Sequence, residues 1–301
     1  MISSIVNYFV VIKPVYNTDN FKLPDVSTIV VGASHSATAI DTAALKQITN
    51  LAKSGEPLFF SYYKSKMLLT NNEDIDHLVV AISPIHIGKY ADEHIFSNSS
   101  GSRKFVMDYF FLIDETNDPF INKYSLDYVI GISKFKLGVP FSYMSDLKVT
   151  LNYYTSQFTH SDYAFWGGVE SLDGNHIEES RQLEKSNFYY VGENSSIRSS
   201  KIGVESIRRL FSLSEEYDVK VTVITTPMHP YFRSLTPPNI KKEFVGLIDN
   251  LVLQYPNSSY YDFSSFELDN DDYLDGDHLN KQGAAKFTGY LRTLGLLDSD
   301  G

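Results

Sequence analysis

The sequence predicts an α/β fold: a three-layer α/β/α sandwich on a short parallel sheet, with an inserted cap region. Short β-branched apolar runs alternate with helix-like segments in both halves of the 301-residue chain, and such alternation buries parallel strands between two layers of helices. The alternation stops between residues 98 and 192. The side chains best suited to chemistry fall at predicted strand ends, where ligands sit in such sheets. We read residues 1–301 as a single domain, with 98–192 as a cap or insertion within it.

Taken in order, Ile2 to Ile12 is apolar but has no basic leader and no small-residue cleavage site, so no signal peptide is visible. It is also too short to span a bilayer, and reads as a packed N-terminal element, with a clipped anchor as the alternative. Ser27 to Val31 is a buried strand, followed by a turn at Gly32 and a helix-like run from Thr38 to Leu45. A second strand, Ile48 to Ala52, ends at Ser54-Gly55, and Phe59 to Leu69 has helical spacing. Asp76 to Ser83, Val219 to Thr226 and Ser259 to Phe263 are the third, fourth and fifth strands. Within the insertion, Arg103 to Asp114 and Ser125 to Leu137 look helical, while Tyr153 to Tyr190 is aromatic, polar and irregular, with Trp166 beside Gly167-Gly168. Long irregular segments in compact domains often wall a site, and Trp166 is placed there as a substrate-binding residue.

With 43% apolar and 14% aromatic residues the chain can build a core. A net charge of −11 with no Lys/Arg run argues against nucleic acid as a partner, since that binding draws on clustered cations. The absence of cysteine removes disulfides, thiol nucleophiles and thiolate-bound zinc. The acidic run Asp269 to Asp277 does not fit a calcium loop, because Tyr273 and Gln282 stand at ligand positions. His86, His229 and His278 could meet around zinc, but no HExxH-type pair supports a metal, and none is expected. No cofactor is implied.

A serine hydroxyl becomes a nucleophile when its turn exposes it and a histidine can take its proton. Ser34 lies in the turn after the first strand, and the next helix would aim its free N–H groups there. His278 lies 244 positions later, so only a fold that joins the chain's two ends could pair them. Asp275, three residues before His278, can hold the imidazole tautomer. Ser36 is the alternative nucleophile and Asp277 the alternative acid. His229, after the fourth strand, is placed to contact substrate.

These residues carry a resemblance. The chain is similar to the SGNH (GDSL-like) hydrolase superfamily of esterases and O-acyltransferases, whose fold is flavodoxin-like. Its first block appears as Gly32-Ala33-Ser34, its second as Asn50-Leu51 running to Gly55, and its last as Asp275 to His278. The resemblance implies a Ser34-His278-Asp275 triad, with an oxyanion hole from the Ser34 and Gly55 N–H groups. The third block departs: Ser83-Pro84-Ile85-His86 stands where the family places Gly-x-Asn-Asp, leaving His86 as the third donor. The Ser-Pro turn and the histidine after Ser34 resemble envelope branches that modify surface polysaccharides. The resemblance therefore implies a carbohydrate or other small acyl ester as substrate, hydrolysis ahead of acyl transfer, and a site outside the cytoplasm, with a cytoplasmic protein as the alternative. The rival reading is a catalytically weak glycan-binding or assembly protein of the same fold. Oligomeric state is left open.

Overall fold

The computed structural model describes residues 21–96, 112, 166–192 and 195–297. The strand β1 (Thr28–Val31) is Thr-Ile-Val-Val with every residue buried, as a strand covered on both faces requires. With β2 (Ile48–Asn50), β3 (His77–Ala81), β4 (Lys220–Thr225) and β5 (Ser258–Asp262) it forms one all-parallel sheet in the order β2-β1-β3-β4-β5. One row of the register runs Asn50, Val30, Val79, Thr222, Ser259.

The helices are α1 (Ser34–Ala39), α2 (Leu58–Asn71), α3 (Lys89–Phe96), α4 (Glu179–Tyr190), α5 (Lys201–Glu216), α6 (Pro230–Ser234), α7 (Pro238–Gln254) and α8 (Lys281–Thr293). Side chains alternate across a strand, and the core divides accordingly. Ile29, Val31, Leu78, Val80, Val221 and Val223 pack with apolar residues of α2, α5 and α7. Val30, Val79, Ala81 and Ile224 pack with Ala39, Phe287 and Leu291 on the other face. This is the three-layer α/β/α arrangement expected from the sequence.

From β1 the chain steps outward to β2, then crosses back to β3 on the other side. That reversal opens a crevice at the carboxyl ends of β1 and β3, where such sheets bind ligands. Ser34 follows β1 and the short 3-10 turn Pro84–Ile87 follows β3. Ser200 caps α5 by accepting the Gly203 N–H at 2.8 Å, and Asn280 caps α8 by accepting from Gln282 and Gly283.

Two elements differ from expectation. The first helix starts at Ser34 rather than Thr38 and ends at Ala39, because Gly32 (φ 120°) completes the turn earlier. Glu179–Tyr190 is a regular helix inside the stretch read as irregular: its buried residues are Gln182, Ser186 and Tyr190, a largely polar face that leaves little apolar period to detect. The segment Ile2 to Ile12 and the helices expected over 103–114 and 125–137 lie outside the described residues, Leu112 excepted. No helix among the described residues is long and apolar enough to cross a membrane.

Candidate active site

Ser34 is the first residue of α1, and its Oγ lies 2.7 Å from His278 Nε2. His278 Nδ1 faces Asp275, at 3.0 Å from Oδ1 and 3.1 Å from Oδ2. The loop carrying both residues is held from several sides. Asp275 Oδ1 accepts the backbone N–H groups of Asp277 and His278, each at 3.1 Å. The His229 N–H donates to the Gly276 carbonyl at 2.9 Å, and the His176 N–H to the Leu274 carbonyl at 2.7 Å. A side chain at Gly276 would meet Phe232 at 2.8 Å, so glycine lets the loop lie flat on α6.

Asp277 is fully buried one residue before the imidazole. Its Oδ2 takes hydrogen bonds from His35 Nε2 at 3.1 Å and the Tyr189 hydroxyl at 3.2 Å, and its Oδ1 pairs with Lys185 and lies 3.6 Å from His278 Nδ1. Lys185 also donates to Asp275 Oδ2 at 2.8 Å and stands 3.2 Å from His278 Nδ1. Burial would push the Asp277 carboxyl up, but His278, the His35 hydrogen bond and Lys185 outweigh it and hold the group well below the usual carboxylate range. Burial pulls His278 down while Asp277 and Asp275 pull it up, and the carboxylates prevail. For His35 burial prevails over Asp277, so its ring is held neutral.

His86 is pushed down to about 3, first by burial and then by the neighbouring His35. Its Nδ1 accepts the Ser83 N–H at 3.0 Å, so the proton of the neutral ring belongs on Nε2. His86 lines a cavity of about 60 Å³ together with Ser34, Gly55, Leu58, Phe59 and Ile85.

The Gly55 loop is braced from beneath. Lys64 and Glu56 form an ion pair at 2.7 Å with both side chains wholly buried, and Lys64 Nζ also donates to the Leu51 and Trp166 carbonyls. The irregular segment after Trp166 clasps the same loop, through Gly168 N–H to the Ala52 carbonyl at 2.8 Å and Ser54 Oγ to Glu170 at 2.6 Å. At Gly167 (φ 127°) a Cβ would lie 2.1 Å from the Ala52 carbonyl oxygen.

The fold therefore brings together Ser34, His278, Asp275, Gly55 and His86. It sets two expected substrate-binding residues elsewhere. The Trp166 ring is buried in the core 5.2 Å from Phe21 and does not line the cavity. The His229 ring hydrogen-bonds Asn270 at 3.2 Å and packs on Tyr273, outside the cavity lining, and its backbone supports the Gly276 turn instead. Ser36 is fully buried, donating to the Val31 carbonyl at 2.7 Å and accepting the Ala81 N–H at 3.0 Å, so its hydroxyl ties β1 to β3. Donor atoms of His35, Asp277 and His278 converge within 4.8 Å of one another, but the cation beside them is the Lys185 ammonium, and we assign no metal to them.

Sequence reasoning noted His35 without giving it a role, and missed Lys185 and Tyr189. His35 had a signal, since it follows Ser34 directly. Lys185 and Tyr189 had none, because their partners lie 90 and 88 positions away.

No protein-family model matches the chain, and no curated protein sequence matches it. Among solved structures, one described as "The structure of a putative platelet activating factor from Streptococcus pneumonia" aligns over 96% of this chain and 96% of that chain, at 10% identity and a TM-score of 0.41. A likeness of that size says nothing about the chemistry here.

Proposed function

We propose that this protein is a serine-dependent ester hydrolase or O-acyltransferase of SGNH type, acting on a short acyl ester of a carbohydrate or other small alcohol. The observation that carries the reading is the hydrogen-bonded chain Ser34 Oγ, His278 Nε2, His278 Nδ1, Asp275, with links of 2.7 and 3.0 Å. In this mechanism His278 takes the Ser34 proton as Oγ attacks the ester carbonyl carbon, and the carbonyl π pair moves onto oxygen. Asp275 holds Nδ1–H and so keeps Nε2 free to act as base. Collapse of the tetrahedral intermediate breaks the bond to the alcohol oxygen, which leaves with the proton from His278. Water or a sugar hydroxyl then attacks the acyl-serine, again deprotonated by His278.

The oxyanion would be met by the Ser34 N–H at the start of α1, the Gly55 N–H and His86 Nε2–H, in place of the asparagine found in related proteins. One such donor is typically worth about 3 to 4 kcal/mol of barrier. A cavity of about 60 Å³ beside Ser34, walled by Leu58, Phe59 and Ile85, can take a short acyl chain.

A fluorophosphonate probe tests the reading directly. Wild type should be labelled, while Ser34→Ala, folded to the same melting temperature, should not. Labelling that survives Ser34→Ala, or a wild type that never labels, would overturn it. Released acetate measured against acetylated sugar, from one activated ester with and without oligosaccharide, separates hydrolysis from transfer. The rival binding reading rested on the missing third-block asparagine and on stacking by Trp166 and the tyrosines of the insertion; the Trp166 ring lies in the core and does not supply such a platform.

A further inference from the structure

A Ser-His-Asp triad needs one carboxylate at the imidazole. This site has two. Asp275 lies 3.0 Å and Asp277 3.6 Å from His278 Nδ1. Each favours the imidazolium, and an imidazole already protonated cannot take the serine proton. Yet Asp277 has work of its own. It ties His35, the residue after the nucleophile, and the Tyr189 hydroxyl to the catalytic loop. The chain thus keeps a second carboxylate where the base can least tolerate one.

Lys185 stands at the point that resolves this. Its ammonium bridges Asp275 Oδ2 and Asp277 Oδ1 and lies 3.2 Å from His278 Nδ1. Two carboxylates and one ammonium present a formal charge of one negative, the same as a triad with a single carboxylate. Among the described residues, the other groups around the imidazole add no charge. From α1, His35 packs at 5.3 Å, and His86, from the turn after β3, stands 5.5 Å behind it; burial holds both neutral. From α4 comes Tyr189, held well above its ordinary value first by burial and then by Asp277. Tyr90 of α3 is raised to about 12, again first by burial.

Resting on the function proposed above, we propose that Lys185 is a positioning and charge-balancing residue of the triad: its ammonium offsets the second carboxylate, Asp277, and leaves His278 free to accept the Ser34 proton near neutral pH. In keeping with this geometry, both carboxylates raise the proton affinity of His278 and Lys185 lowers it. A helix that approaches the site from the far end of the insertion therefore belongs to the catalytic machinery.

The test compares full-length wild type, Lys185→Met, Lys185→Arg and the double variant Lys185→Met/Asp277→Asn. Two readouts are taken: the NMR titration of the His278 ring, assigned by its loss in His278→Gln, and the pH dependence of fluorophosphonate labelling. Lys185→Met should move both the titration and the acid limb of labelling to higher pH, and Lys185→Arg should hold them near wild type. The double variant, which again faces the base with one negative charge, should bring them back. A ring titration unmoved by Lys185→Met, or not restored in the double variant, overturns the proposal. Lys185→Gln replaces the methionine variant if that one melts early. If labelling is absent in wild type while the titration shifts as stated, the enzyme reading fails and the charge balance stands. Normal labelling with an unmoved titration has the opposite meaning.

Discussion

Asparagine at position 275 probes the triad where its two acid candidates part. The substitution keeps the shape and removes the charge. Asp275 Oδ1 accepts two backbone N–H groups and Oδ2 accepts the Lys185 ammonium, so an amide has no good orientation. With its oxygen at the Oδ1 place, its NH2 group confronts Lys185. Flipped, the NH2 group confronts the backbone donors. Either NH2 placement can also donate to His278 Nδ1, which lies 3.0 and 3.1 Å from the two oxygens, and this moves the imidazole proton to Nε2, facing Ser34 in the tautomer that cannot act as base. The lost attraction between carboxylate and imidazolium at 3.0 Å is roughly 5 kcal/mol at an effective dielectric constant near 20. Solvent screening of a carboxylate that is 28% exposed trims it, leaving roughly 4 kcal/mol, or about three powers of ten in kcat/KM. The assay is kcat/KM on a short-chain chromogenic ester, with thermal unfolding as the check on folding. If Asp275→Asn keeps more than about a tenth of the activity while Asp277→Asn loses about a thousandfold, the acid is Asp277 and the triad as drawn is wrong.

Lys64→Met should unfold earlier. It leaves Glu56 as a buried charge without its lysine and costs about 3 to 5 kcal/mol, read as a lower denaturation midpoint; adding Glu56→Gln should recover much of the loss, and a single variant as stable as wild type would contradict the buried pair. Acid should weaken the fold in a defined window. Burial lowers His77 to about 4 and His86 to about 3, so both stay neutral in the folded chain while the unfolded chain takes up their protons below about 6.5. Their depressed values mean that stability is full above about 6.5 and falls as pH drops toward about 4, by at most about 1.4 kcal/mol per pH unit for each histidine. Denaturant titrations at about pH 7 and about pH 5 check this, and equal stabilities at the two would refute it.

The strands β1, β3 and β4 were legible because each is short, largely apolar and rich in β-branched residues, and because both faces of the sheet's centre are covered: β1 and β3 have no exposed residue to blur the run. The loop carrying Asp275 and His278 was legible for a different reason. Asp275 and His278 interact locally, through an acid three residues before its histidine, and local spacing survives in sequence. What escaped was non-local or polar. Helix α4 buries Gln182, Ser186 and Tyr190, so its inner face carries too little hydrophobic period to register, and with it went Lys185 and Tyr189. Trp166 misled because a lone tryptophan beside two glycines reads as a binding surface. Here Gly167 serves a close backbone crossing at Ala52, and the Trp166 ring is buried in the core against Phe21.

The bond between Ser34 and His278 closes a span of 244 residues, and a single hydrogen bond, worth about 1 kcal/mol net, could not hold that closure against chain entropy. The packing of α8 on α1 does the holding. Thr288 on α8 accepts the Asp41 N–H at 2.8 Å and donates to the Ala39 carbonyl at 3.3 Å. Phe287 and Leu291 bury themselves beside Ala39 and Ile40 on the same face of the sheet. The His278 ring is thus delivered by the loop leading into a helix whose docking is fixed by core packing, and the Ser34 hydroxyl by a turn whose path is fixed by β1. The hydrogen bond between them is a consequence of that arrangement. It costs little to form because its partners are already in place, and preorganisation of this kind is what a catalytic pair requires.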